Sequence, residues 1–179
     1  MFTGKYVRLG AMLPEHFATL FEWDDLPEIQ RLADDSPIRP HTPAQRDDQF
    51  RRFQKDNVYP FSIFRLADDQ LIGSCVLAHL DPRSRSAELG IVISAPGAAG
   101  HGCGTDALYL LAEYAFDELN LNRLELEVFA FNAAAIRAYH KVGFQTEVVK
   151  REVLFREGRF HDMLLMGLLR SEWSGRSAI

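Results

Sequence analysis

AELGIVISAPGAAGHGCGTDA, residues 87–107, is the stretch that decides the fold. An apolar run with strand character gives way to a glycine-rich loop, and an amphipathic helix is expected from Thr105. Past that helix come a second strand-like run, RLELEVFAF at 123–131, then Asn132 and the helical pattern AAAIRAYHKVGF at 133–144. Strand, glycine loop, helix, strand, helix is a crossover unit whose first turn can cradle a phosphate. An anionic cofactor is therefore the first expectation.

Before this unit the pattern predicts strands at FSIFRL (61–66), LIGSCVLAHL (71–80) and SAELGIVIS (86–94), joined by the turns ADDQ and DPRSR. Loops that short imply an antiparallel meander. The first third reads as a short strand at Lys5 to Leu9 followed by helices. Pro14 sits where a first helical turn tolerates proline; Asp25 with Pro27, and Thr42 with Pro43, repeat a cap followed by proline. Leu20, Phe21 and Trp23 followed by Asp24 and Asp25 set an aromatic surface beside an acidic cluster, which a packed helix end with an aspartate cap also explains. After the crossover, VVKREVLF and RFHDMLLMGLL flank REG as a final hairpin. That hairpin could serve the core, cover an acceptor site or join two subunits as a homodimer, and its apolar residues favour the core. The class is α/β (α+β), a single domain over residues 1–179 with a mixed, largely antiparallel central sheet and helices packed on it.

Composition narrows the function. At 179 residues the chain suffices for one packed core. Its two cysteines, Cys75 and Cys103, have no partners at metal-ligand spacing, which suggests a reducing compartment. A formal net charge of -5, with both signs interspersed, argues against a nucleic-acid partner. No apolar run reaches membrane-spanning length and the amino terminus lacks a signal-peptide core, so the expectation is a soluble cytoplasmic protein with no membrane partner.

In the loop, Gly100, Gly102 and Gly104 alternate ahead of Thr105. Glycines allow positive φ and close backbone approach, and a helix start offers unpaired amides and a positive dipole end. A Walker loop would need Lys before Thr105, where this chain has Gly104; a dinucleotide fingerprint would need parallel pairing and a later acidic residue. Neither fits. Asp106 falls in the first turn, where its charge opposes an anion unless it points away.

The second half of the unit adds Asn132 as a helix cap, Tyr139 two turns along, and Gly143 as the residue after the helix. Together AELGIVIS, GxGxGT and NxxAxxxYxKxGF resemble the GCN5-related N-acetyltransferase superfamily, closest to the bacterial branch that acetylates ribosomal-protein amino termini and polyamines; the similarity runs from Gly4 to Trp173. The resemblance implies an acetyl-CoA site in a gap between splayed strands, with helices on both faces of the sheet. Main-chain groups of Val92, Ile93 and Ser94 would pair with the pantetheine arm like an added strand. Amides of Gly100, Gly102, Cys103, Gly104 and Thr105 would hold the pyrophosphate. Asn132 would hydrogen-bond the pantetheine, and Tyr139 would reach the sulfur. Where the family loop usually begins with Gln or Arg, this chain has Ala99, which leaves the amides to act without that side chain.

Acetyl transfer needs a neutral amine, a stabilised oxyanion and a proton for the departing thiolate. Tyr139 is the candidate acid and a strand amide near Val92 the oxyanion donor. Glu88 is the candidate base, because the period of two sets it on one face with Gly90, Val92 and Ser94; relay through water is the rival. Glu125 and Glu127 read as a solvated face. No motif arranges the six histidines as ligands or puts a base beside Cys103, so direct transfer without acyl-enzyme or metal is expected. The acceptor is an amine: a protein or peptide amino terminus is the leading expectation, with a polyamine drawn by Glu22, Asp24 and Asp25, or another small amine, as alternatives. A catalytically silent acyl-CoA-binding module is the remaining reading.

Overall fold

The computed structural model describes residues 2–175. Its strands form one sheet in the spatial order β1-β2-β3-β4-β5-β6-β8-β7. They are β1 (Phe2–Thr3), β2 (Val7–Ala11), β3 (Tyr59–Arg65), β4 (Leu71–Asp81), β5 (Ser86–Ile93), β6 (Arg123–Phe129), β7 (Gln145–Arg156) and β8 (Arg159–Leu169). The α-helices are α1 (Pro14–Asp24), α2 (Pro27–Ala33), α3 (Pro43–Phe53), α4 (Cys103–Glu113) and α5 (Ala133–Val142). Neighbouring strands are antiparallel except β5 and β6, which run parallel.

That one parallel pair is short. Ser86, Ala87 and Glu88 face Arg123, Leu124 and Glu125, and the pairing ends there. Each strand stays bound to its outer neighbour: β4 follows β5 to the pair Gly73 and Ile93, and β8 follows β6 to the pair Met163 and Phe129. The two inner edges therefore part beyond Glu88, which opens the sheet without breaking it.

Helices cover both faces. Ile63 belongs to a core with Val7, Leu9, Leu77 and Leu89 under Leu108, Leu111 and Phe116 of the α4 segment. Its neighbours Ser62 and Phe64 must point the other way, and both meet His16 of α1, at 3.1 Å and with ring centroids 5.1 Å apart. On that second face Phe17 gathers Phe50 and Phe53 of α3 at 5.0 and 5.8 Å. The α4 helix is apolar on nearly every side, as a helix enclosed by neighbours must be. It runs on as a π-helical turn over Tyr114–Glu118.

Several boundaries differ from the sequence reading. The α4 helix begins at Cys103, two residues before Thr105, because Gly102 caps it in the left-handed conformation at φ 80°. Residue 26, not Asp25, precedes α2; Asp25 closes α1 and turns its carboxylate to His41 at 2.5 Å. Thr42 does cap α3, accepting the Gln45 amide at 3.3 Å. In the final hairpin Glu157 and Gly158 both have positive φ, the geometry of a two-residue hairpin turn. There β8 serves the core through Met166 and Leu168, whereas β7 buries Leu154 and leaves Val148, Val149, Val153 and Phe155 exposed.

Candidate functional site

The parted edges of β5 and β6 frame a cleft of about 660 Å³. Gly90 to Ile93 form one wall, Val128 and Phe129 the other, and the glycine loop with the first turn of α4 closes one end. Gly100 and Gly102 lie at φ 88° and 80°, where a side chain costs backbone strain. The first helical bond of α4 runs from the Asp106 amide to the Gly102 carbonyl at 3.0 Å. The amides of Cys103, Gly104 and Thr105 precede it and have no carbonyl within the helix, so they present donors at the positive end of its dipole.

Asp106 does not oppose an anion here. Its Oδ2 turns away and accepts the amides of Tyr6 at 2.7 Å and Val7 at 3.0 Å. The carboxylate thus anchors the start of β2 to the start of α4.

The other residues singled out by sequence separate into two groups. Val92, Ile93, Gly100, Gly102, Gly104, Thr105, Asn132, Tyr139 and Glu88 all line the cleft. Ser94 and the Cys103 side chain do not. The Ser94 amide donates to the Ile72 carbonyl at 3.1 Å, and its buried hydroxyl lies beside Asp24 on the far face. Cys103 turns its thiol into the core, where burial pushes its pKa up against the opposing pull of Arg65, leaving only its amide for a ligand.

Asn132 uses Oδ1 to cap α5, accepting the Ala135 amide at 3.2 Å, which keeps its side-chain NH₂ as a donor. Tyr139 is 6% exposed and packs edge-on against Phe144. Burial pushes its phenol up to about 12, so it carries its proton at neutral pH. Glu88 stands where the strands part, exposed, with its Oε2 2.8 Å from Nδ1 of His79. Glu125 and Glu127 pair with Arg123 and Lys150 as surface groups.

A second cavity, about 240 Å³, lies under α1 and α2. It shares Gly90, Ile91 and Val92 with the first, so the same segment of β5 borders both. Asp24 and Asp25 line it, and Oδ1 of Asp24 is buried with no hydrogen-bond partner among the described residues. Burial pushes the Asp24 carboxyl up to about 6, the Ser94 hydroxyl opposing and the Asp25 charge adding. From the sequence this aspartate reads as one member of an acidic cluster at a helix end, with Asp25 as the cap. The stronger signal was its spacing: Phe17, Leu20 and Phe21 are the buried residues of α1, and position 24 continues their stripe at i, i+3, i+4, i+7. Among the described residues no three His, Cys, Asp or Glu side chains group as a metal site, and no helix is long and apolar enough to cross a membrane.

Comparison with known proteins agrees with this geometry. The family model described as Acetyltransferase (GNAT) domain matches residues 7–145. A spermidine N(1)-acetyltransferase of Vibrio cholerae is 30% identical over 131 residues, which is 73% of this chain and 75% of that protein. A Bacillus subtilis protein provisionally named a ribosomal N-acetyltransferase is 36% identical over 110 residues, 62% of this chain and 60% of the relative. The aligned stretches span 60% to 75% of the lengths of these and the other foremost curated relatives. In fold, the crystal structure of the spermidine N-acetyltransferase from Vibrio cholerae with CoA and spermine superposes with a TM-score of 0.83 at 23% identity, covering 93% of this chain and 97% of that one.

Proposed function

Because the chain belongs to the GNAT acetyltransferase family, we propose that it moves an acetyl group from acetyl-CoA directly to a primary amine, in one domain that takes in the whole chain. The observation that carries this reading is the parting of β5 and β6 over a helix start with unpaired amides. The donor's requirements match that cleft. A pyrophosphate needs several amide donors and no competing carboxylate; the amides of Cys103, Gly104 and Thr105 meet the first condition and the averted Asp106 the second. The pantetheine arm needs an unpaired strand edge, which β5 offers at Val92 and Ile93, and the Asn132 side-chain NH₂ faces the same arm. Bound acetyl-CoA supplies an activated acyl group and a thiolate leaving group. Tyr139, neutral at working pH and lining the cleft, gives the thiolate its proton, and the main chain at Val92 stabilises the oxyanion. Glu88 borders the same cleft, but its exposed carboxylate is engaged with His79.

The acceptor in this proposal is the amino terminus of a protein or peptide. An α-amine has a pKa near about 8 and a lysine-type amine near about 10.4, so a carboxylate deprotonates the α-amine more readily. A polyamine is the second reading, favoured by Asp24, Asp25 and Asp34 together on the wall of the second cavity. The exposed valines of β7 are a candidate surface for self-association, which light scattering would read.

Two measurements test the function in turn. Acetyl-CoA at about 100 times its dissociation constant should raise stability by about 2.7 kcal/mol, seen as a higher thermal midpoint. No shift, together with no binding by calorimetry at millimolar concentration, would remove the donor site. A panel of peptide amino termini and polyamines then reads the acceptor. Peptide turnover that varies little with salt supports the α-amine, whereas spermidine turnover that collapses with salt supports the polyamine.

A further inference from the structure

We propose that the second cavity is the acceptor pocket and that Asp24 takes the proton from the incoming ammonium; this rests on the acetyl-transfer reading above. Oδ1 of Asp24 is buried outside hydrogen-bond geometry, with the equally unsatisfied Ser94 hydroxyl beside the carboxylate, and such burial is costly. Its neighbours show how avoidable the situation is. Asp25, one residue on, is satisfied by His41 and Gln30, and Asp34 accepts the Ser36 amide at 2.7 Å. Arg46 of α3 turns its guanidinium over the Phe21 ring at 4.8 Å, and its Nε has no hydrogen-bond partner among the described residues. An ammonium group in the cavity would give Asp24 a charged partner, where the described residues offer its carboxylate only the neighbouring Ser94 hydroxyl.

The position of the cavity suits that role. Gly90 to Val92 border both spaces, so an amine held on the α1 side of β5 and an acyl group held in the cleft meet across the same three residues. Glu88 lies on the same strand but on the exposed side of the opening, committed to His79.

The step balances. Asp24 takes one proton as the ammonium N–H bond breaks, and the freed lone pair forms the C–N bond at the thioester carbonyl carbon. The C–S bond then breaks as the sulfur accepts the Tyr139 proton. The second proton lost by the nitrogen restores Tyr139, Asp24 returns its own to solvent, and each turnover releases one proton. Asp24 is poised for this, since a carboxyl lifted to about 6 is ionised at pH 7 yet more basic than an ordinary aspartate. The groups that line the cavity with it are Asp25 at the end of α1, Asp34 after α2, His41 before α3 and Cys75 on β4, with the Ser94 hydroxyl beside its carboxyl.

The test compares wild type with Asp24→Asn, Asp24→Glu and Glu88→Gln, using a peptide with a free amino terminus and spermidine as acceptors. Calorimetry with acetyl-CoA alone should give dissociation constants within about twofold of wild type for all three, which also shows that they fold. For wild type, kcat/KM should rise as pH passes through about 6 and then level. For Asp24→Asn it should fall about 100-fold or more at pH 7. That rise should vanish, to be replaced by a gain of about tenfold per pH unit up to the amine's own pKa, because only pre-neutralised amine reacts. Asp24→Glu should recover part of the rate, and the loss in Asp24→Asn should exceed that in Glu88→Gln by about tenfold or more. The assignment is overturned if Asp24→Asn keeps the wild-type rate and profile while wild type acetylates amines, or if Glu88→Gln shows the loss instead. Wild type that binds no acetyl-CoA would overturn the acetyl-transfer reading itself, and this proposal with it.

Discussion

Asp24→Asn should make the folded protein more stable at pH 7 while leaving it unchanged near pH 4. The carboxyl has an ordinary pKa of 3.8 and rises to about 6 on folding, chiefly because it is buried. Its folded-state pKa lies above its unfolded one, so between these values the folded protein holds the proton more tightly. Stability is therefore complete below about pH 4, declines as pH rises toward 6, and stays reduced above it. At about 1.36 kcal/mol per pH unit, the cost at neutral pH is about 3 kcal/mol. The neutral amide avoids this charge and closely matches the protonated acid in shape, so comparison at pH 4 subtracts whatever the two share. For a chain of this size about 3 kcal/mol corresponds to a midpoint roughly 6 to 12 °C higher. Thermal unfolding followed by circular dichroism at pH 4 and pH 7.5 measures it. A variant no more stable than wild type at pH 7.5, or one raised equally at both pH values, would refute the claim that Asp24 is ionised at a cost.

Two further substitutions probe the cleft. Tyr139→Phe should lower kcat about 100-fold with little change in acetyl-CoA affinity, and wild-type kcat should show no loss of its acid up to about pH 10, since the phenol titrates near about 12; stopped-assay pH profiles read both. Gly102→Val should cost about 1–2 kcal/mol of stability by forcing a branched residue into a left-handed turn, and weaken acetyl-CoA by about tenfold; unfolding and calorimetry on the same sample separate the two effects.

The parts of the fold that local chemistry punctuates were legible from sequence. Pro14, Pro27 and Pro43 mark three helix starts, the Thr42 cap forms as expected, and Gly143 ends α5 at φ 114°. The meander and the crossover followed from turn residues and apolar period. What escaped depends on contacts distant in sequence. The pair Phe2 and Thr3 becomes a strand only because Leu9 and Arg8 lie opposite, and two residues carry no period to detect. The face of Ser94 was inferred from strict alternation, which ends as β5 does at Ile93, so its amide is free to join Ile72. Apolar content favours the core for the last hairpin, but β7 is an edge strand with one neighbour, and of its apolar residues only Leu154 is buried. Asp24 was visible as a charge, while its burial depended on α2 and α3 folding over it.

The Asp106 carboxylate has a mechanical consequence. By holding the amides of Tyr6 and Val7 it fastens a strand near the amino terminus to the turn proposed to grip the donor, across about a hundred positions of chain. Fraying of that strand and loosening of the grip are then one motion rather than two. A ligand that stiffens the glycine turn restrains the amino terminus as well, and an alteration at the first residues of β2 reaches the donor site without touching it.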